Sequence, residues 1–313
     1  MVNFQEARVI IEGEYALAGT LTIPEGSGPF PAVLLVAGSG EVDRDGNSSK
    51  GKLFPNMYKD LAEFISNFGF ITLRVDKRGV GESGGVFLET GMVDLVDDVI
   101  SSISFLENHP QVEKILLLGH SEGCILITAA NARRAVDGLI FLSGAAESIE
   151  DALTRQRQLV IEEILNMKGL KGKLARFLKL EQKIESQAQK LTDKIMNSND
   201  AVIKYQFQRI NGKWFREHFS YDLFDDLKKV TCPSLAITGS KDVQATPEKV
   251  YELPKLVNGP GEAHIIRNMD HLLKEVLVEI PVTQVVKAYK KNQNKPLHPE
   301  LKKVLSEWLT RVY

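Results

Sequence analysis

Ser121 sits between two glycines in Gly-His-Ser-Glu-Gly, residues 119–123. A serine hydroxyl becomes a nucleophile for acyl transfer when a base takes its proton and a carboxylate orients that base. The five-residue pattern alone is a weak signal, and residues 81–85, GESGG, match it a second time around Ser83. Context separates the two. Ser121 follows the aliphatic run 115–118, which suits a strand buried on both faces, and precedes residues 124–134, long enough and rich enough in Ala and Leu for a helix. Strand, sharp turn and helix in succession are what a nucleophile elbow requires. Ser83 lies instead among clustered glycines after DKRGVGE, which predicts a loop and a structural role.

The base and the acid must come from elsewhere. Of six histidines, His109 and His298 precede prolines, His120 occupies the variable elbow position, His218 lies in a long insert and His264 falls inside a predicted strand. His271 alone stands in a loop just beyond a late strand, and it is the predicted base. Asp242 ends the segment SLAITGSKD and is the predicted acid; Asp270 is the rival, but adjacent residues seldom aim side chains at one another. The chain order Ser121, Asp242, His271 is that of a serine hydrolase built on an elbow. The glycines at 119 and 123 allow the close backbone approach of a strained turn. The helix after Ser121 would aim its positive end at the reacting carbon. The Glu122 N–H is therefore one predicted oxyanion donor, with no chemical role for its side chain. The second is the Ser39 N–H in AGSGEVDRDG, with Gly40 as the alternative.

The elements that would hold these residues alternate. Residues 7–14 and 16–24 read as the two strands of an antiparallel hairpin. Short aliphatic runs follow at 32–38, 71–76, 114–120, 138–144, 234–240 and 263–268, with helical patterns at 57–69 and 92–109 between the first three. That rhythm predicts an α/β fold with a mostly parallel central sheet and helices on both faces. About 90 residues separate Gly144 from Ser234, far more than one crossover needs. The expected organisation is a core domain of residues 1–145 and 230–313 with a helical cap inserted at 146–229. Aromatics crowd residues 205–224, including Trp214, Phe215 and Tyr221. They either dock the cap or line an acyl pocket, and sequence does not choose.

A formal net charge of −2 over 313 residues gives no electrostatic case for nucleic acid or an anionic membrane surface. The N-terminal residues carry charges where a signal peptide needs an apolar stretch, and no run reaches the length of a membrane span. A soluble, cytoplasmic protein is expected. Cys124 and Cys232 are too few for a disulfide scaffold and lack metal-ligand spacing. The helices of the insert could pair with those of a second subunit, giving a homo-oligomer through the cap.

Taken in order, GHSEG, AGSGEVDRDG, DKRGVGESGG, GSKD and NMDHLL resemble the α/β-hydrolase superfamily, and more narrowly bacterial serine esterases with a Gly-Ser-Gly loop followed by Asp-Arg-Asp and a helical cap. The resemblance covers the predicted core and is weak across the cap. It implies carboxylesterase action on small or medium esters, triad roles for Ser121, Asp242 and His271, and no metal or organic cofactor. Where many relatives carry His-Gly before the oxyanion residue, this chain has Ala37-Gly38, so the loop must be supported differently. Asp43, Arg44 and Asp45 are expected to form an ion-paired network holding that loop, with Arg78 as a further partner.

Overall fold

The computed structural model describes residues 3–313. Its main sheet is built from β1 (Phe4–Ile11), β2 (Leu17–Pro24), β3 (Phe30–Val36), β4 (Ile71–Val75), β5 (Val112–His120), β6 (Gly138–Leu142), β9 (Ser234–Gly239) and β10 (Gly261–Ile266), with a separate hairpin of β7 (Val202–Tyr205) and β8 (Gln208–Asn211). The order across the sheet is β1-β2-β4-β3-β5-β6-β9-β10. The hairpin β1-β2 joins antiparallel at one edge, and every pairing from β4 to β10 is parallel.

The aliphatic strands divide their side chains between two cores. Leu34, Leu117, Leu139 and Phe141 point to one face, where α2 (Met92–Glu107) and α3 (Glu122–Arg133) cover them. Leu35, Leu116, Leu118 and Ile140 point to the other, beneath α1 (Met57–Ser66) and the C-terminal helix Pro299–Val312. Strands buried on both faces need no polar alternation, which is why they read as unbroken apolar runs.

Between β6 and β9 the chain forms α4 (Ile149–Leu165), α5 (Gly169–Phe177), α6 (Leu180–Met196), the β7-β8 hairpin, α7 (Gly212–Ser220) and α8 (Leu223–Leu227). Trp214, Tyr221 and Phe224 pack against the core on the α2/α3 face. Among the described residues no helix is long and apolar enough to cross a membrane.

The strand order reverses between β3 and β5: the chain passes from β3 to β4 on one side and returns to β5 on the other. The crevice beyond the carboxyl ends of strands at such a reversal is where open α/β sheets place their ligands. Both predicted oxyanion segments and Ser121 lie there.

Candidate active site

Ser121 stands between β5 and α3 with φ 55° and ψ −120°, a left-handed conformation that costs a non-glycine residue of order 1–3 kcal/mol. The surroundings hold it there. The Ser121 N–H donates to the Leu142 carbonyl at 2.9 Å. A side chain at Gly123 would place its Cβ 2.2 Å from the Val36 carbonyl oxygen, and one at Gly119 would strike Gly123 at 2.4 Å. The motif glycines are therefore required by close approach between the elbow and its neighbours. A third glycine, Gly144 after β6, would meet the Ser121 carbonyl oxygen at 2.5 Å; sequence reasoning gave it no part.

His271 and Asp242 are brought together at the ends of β10 and β9. The His271 Nδ1 lies 2.9 Å and 3.1 Å from the two Asp242 oxygens. One of these, Oδ1, also accepts the N–H groups of Gln244 (2.8 Å) and Ala245 (2.9 Å). Burial works to raise the Asp242 pKa, but His271 and these donors outweigh it and hold the carboxyl below its ordinary range. Gly239 makes the approach possible, since a Cβ there would fall 2.0 Å from the Met269 carbonyl oxygen. Asp270 turns away: its Oδ1 accepts the Lys274 N–H at 3.0 Å, and its Oδ2 has no partner among the described residues.

The Ser121 hydroxyl forms no hydrogen bond to His271 in this geometry. His120 joins the two loops instead. Its Nε2 is 2.9 Å from the His271 carbonyl oxygen and its Nδ1 is 3.0 Å from the Tyr58 hydroxyl. A carbonyl only accepts, so Nε2 carries the proton and Nδ1 receives one from Tyr58. The Tyr58 oxygen in turn accepts the Gly38 N–H at 2.8 Å. A directed chain thus runs from the loop after β3, through Tyr58 and His120, to the backbone of His271. Burial, with the His271 charge second, lowers the His120 pKa to about 3, so the ring is neutral.

The loop after β3 presses on the nucleophile. A Cβ at Gly38 would lie 3.1 Å from the Ser121 Cβ, and Ser39, Ser121 and Glu122 line one cavity of about 100 Å³. The Glu122 N–H belongs to the first turn of α3 and has no intrahelical acceptor. Support of the loop, left open by the missing His-Gly, comes from Tyr58 on the Gly38 N–H and from the Lys77 ammonium on the Gly38 carbonyl.

Lys77 also pairs with the Glu122 carboxylate at 3.0 Å. Glu122 is 1% exposed and accepts from two residues of α7, the Trp214 indole N–H and His218 Nε2 (2.9 Å). Burial would raise its pKa, yet Lys77 first and His218 and Trp214 after it lower it to about 2. The side chain that sequence left without a role is a buried anion tying the elbow, the loop after β3 and the insert together. Lys77 and His218 were not found either, and Trp214 was seen only as one of a crowd of aromatics; a charge so central leaves no trace in spacing.

Of the charged triplet, Arg44 and Asp45 form ion pairs, whereas Asp43 pairs with no cation among the described residues and its Oδ1 accepts the N–H groups of Asp45 and Asn47. Arg44 pairs with Asp76 (2.6 Å) and Glu82 (2.6 Å), and Asp45 with Arg74. Arg78, expected as a further partner, takes no part in these pairs; its guanidinium is taken by Asp98 (2.7 Å) and Glu14, because it points to the α2 face. Ser83 is structural as expected, donating to the Asp76 carbonyl at 2.8 Å and accepting the Ala18 N–H at 2.9 Å.

Two compartments open beside Ser121, and Trp214 lines both. The first continues along α4 past Ile149, Ala152, Leu153 and Gln156. The second, about 160 Å³, is lined by Gly40, Phe87, Thr90, Leu95 and Asn211. Of the aromatics, Trp214 therefore does both things sequence allowed, docking the insert and lining the site. Phe207 is fully exposed and does neither. Among the described residues no group of three or more His, Cys, Asp or Glu is arranged to hold a metal ion.

The chain belongs to the serine aminopeptidase, S33 family, whose model matches residues 55–275, and its fold is that of the α/β-hydrolases. It is similar to esterase EstD of Thermotoga maritima, 30% identical over 80% of this chain and 55% of that protein. It is also similar to the mitochondrial palmitoyl-protein thioesterase ABHD10 of Bos taurus, 26% identical over 69% of this chain and 61% of that one. The chain thus spans between half and two thirds of the curated relatives it matches. Among solved structures, Est1E from Butyrivibrio proteoclasticus with bound ferulic acid superimposes with a TM-score of 0.60, covering 90% of this chain and 96% of that one at 19% identity.

Proposed function

We propose that the protein is a serine carboxylesterase acting on small or medium carboxylic esters through an acyl-enzyme. The observation that carries this reading is the buried His271–Asp242 pair beyond β10 and β9, on the same sheet edge as a serine strained into an elbow. Asp242 binds Nδ1, which fixes the neutral imidazole with its lone pair on Nε2. Ser121 Oγ attacks the ester carbonyl while His271 Nε2 takes its proton, and the N–H groups of Ser39 and Glu122 receive the oxyanion. The imidazolium returns the proton to the departing alcohol, and water repeats the route on the acyl-serine. The compartments on either side of Trp214 supply room for the acyl and alcohol portions. No cofactor takes part in this scheme.

Ser121→Ala is expected to lower turnover of a small aryl ester by roughly 10⁴- to 10⁶-fold, and a phosphonate should label Ser121 alone by mass spectrometry. Near-native turnover in the variant would remove Ser121 from the mechanism. A second reading, thioester or amide hydrolysis with the same residues, is favoured by the likeness to a thioesterase and by the family's aminopeptidase members. Rates on matched ester, thioester and anilide substrates separate the three bonds; the ester should be the fastest.

A further inference from the structure

Helix α5 turns its apolar side outward. Its small residues Gly172 and Ala175 face the insert and are buried, while Leu170 (81%), Leu174 (52%), Phe177 (81%) and the following Leu178 (39%) are exposed. Positions i, i+4, i+7 and i+8 share one helix face, so these four make a continuous stripe where a solvated helix would be polar. A contiguous exposed apolar surface of this kind marks an interaction site.

The charge around the stripe says what the partner is. From Met167 to Lys179 the sequence holds five basic residues, Lys168, Lys171, Lys173, Arg176 and Lys179, and no acid. Of these, Lys168, Lys173, Arg176 and Lys179 pair with no carboxylate among the described residues; the Arg176 guanidinium donates to the Leu165 carbonyl at the end of α4. That same end of α4 holds a second patch: the Glu163 carboxylate accepts the Thr283 N–H at 3.1 Å and its hydroxyl. Near Thr283, Leu277 (72%) and Val278 (69%) are exposed beside Lys287 and Lys291 in a groove of about 690 Å³.

We propose that α5 is an interfacial docking helix for an anionic lipid surface, its leucine and phenylalanine stripe seated at the acyl boundary and its cations on the headgroups. An apolar face bordered by unpaired Lys and Arg is the pattern of helices that lie in a membrane interface. A second copy of the chain fits poorly, because two-fold pairing of this face would bring two all-basic segments together with no acid to neutralise them. The net charge of −2 predicts no such affinity; it averages away a local excess. The first half of α4 lines the Ser121 cavity, so docking of α5 would hold the substrate-binding insert against the surface.

The test is flotation of the full chain with phosphatidylcholine vesicles with and without phosphatidylglycerol, at low and high salt. Binding should need the anionic lipid and weaken with salt. Leu170→Asp/Phe177→Asp and, separately, Lys173→Glu/Arg176→Glu should each weaken it by roughly tenfold or more, with cooperative melting unchanged. The charge variant alters only exposed positions, so it remains informative if the apolar variant fails to fold. Absence of wild-type binding to the anionic vesicles, or wild-type-like binding by the charge variant, overturns the proposal. So does a dimer in sedimentation velocity that Leu170→Asp/Phe177→Asp dissociates while vesicle binding is unaffected. Binding is read without turnover, so the outcome is independent of the proposed esterase chemistry.

Discussion

At the scale of single residues, the site is governed by which buried groups keep a charge. His120 loses its charge to burial, and its tautomer is fixed by the His271 carbonyl on one side and Tyr58 on the other. Nitrogen-detected spectra should therefore show His120 as the Nε2–H tautomer down to about pH 5; protonation near pH 6 would break the chain described above. Asp270 is the opposite case. Burial first pushes its carboxyl up to about 6, against the pull of the Lys274 N–H and of His271, from an ordinary 3.8. The folded state then holds a proton that the unfolded chain releases between about pH 4 and 6, so this group subtracts stability as pH rises through that window. Asp270→Asn keeps the acceptor for Lys274 and should stabilise the protein at pH 7 by on the order of 2 kcal/mol, with little effect near pH 4. Equal gains at both values in denaturant titrations would refute this. The motif residues Ser121, Asp242 and His271 were legible because their places follow strand ends; which of Asp242 and Asp270 reaches the imidazole was decided by backbone direction alone.

At the scale of elements, close approach and one buried anion set the geometry. Gly123→Ala would drive a methyl into the Val36 carbonyl, and we expect it to cost about 3 kcal/mol or more in denaturant titrations. An unchanged midpoint would mean that the elbow is looser than its contacts imply. Lys77→Met removes the ammonium that holds both the Gly38 carbonyl and the Glu122 carboxylate. Breaking a buried pair this way costs about 3–5 kcal/mol. With the loop after β3 freed, the proposed oxyanion donor is lost from its place, and kcat on a small ester should fall by roughly tenfold or more, with a smaller change in KM. A purely structural lysine would lower stability and leave kcat per folded molecule unchanged. The elements themselves were readable from apolar runs bounded by Gly and polar residues. The partners of Arg44, Arg74 and Arg78 were not, because Asp76, Asp45 and Asp98 reach these guanidinium groups from other segments that only the assembled fold brings together.

At the scale of the whole molecule, burial is uneven. Leu116, Leu117, Leu139 and Ile140 of the central strands are fully buried, whereas Ile161, Ala175 and Ile195 are the buried apolar residues across α4–α6 among the described residues. Amides of α5 and α6 should therefore exchange through local openings that denaturant barely promotes, while those of β3, β5 and β6 exchange through global unfolding. Equal protection across both regions would show that the insert folds and unfolds with the sheet. Separate opening of α5 and α6 fits the place of their buried residues outside the two apolar clusters of the sheet, whereas α8 contributes Leu223 and Leu227 to one of them.

The sequence by itself determined the alternation of strands and helices, the elbow, and the places of Ser121, Asp242 and His271 beyond strand ends, since these follow from local periodicity and from glycine's freedom from a Cβ. Tertiary structure alone decided that Glu122 is a buried anion between Lys77, Trp214 and His218, that His120 and Tyr58 support the loop after β3, and that α5 faces outward. Each of these depends on what surrounds a side chain from segments distant in the chain: desolvation and pairing are properties of the assembled neighbourhood, and no spacing along one strand or helix records them.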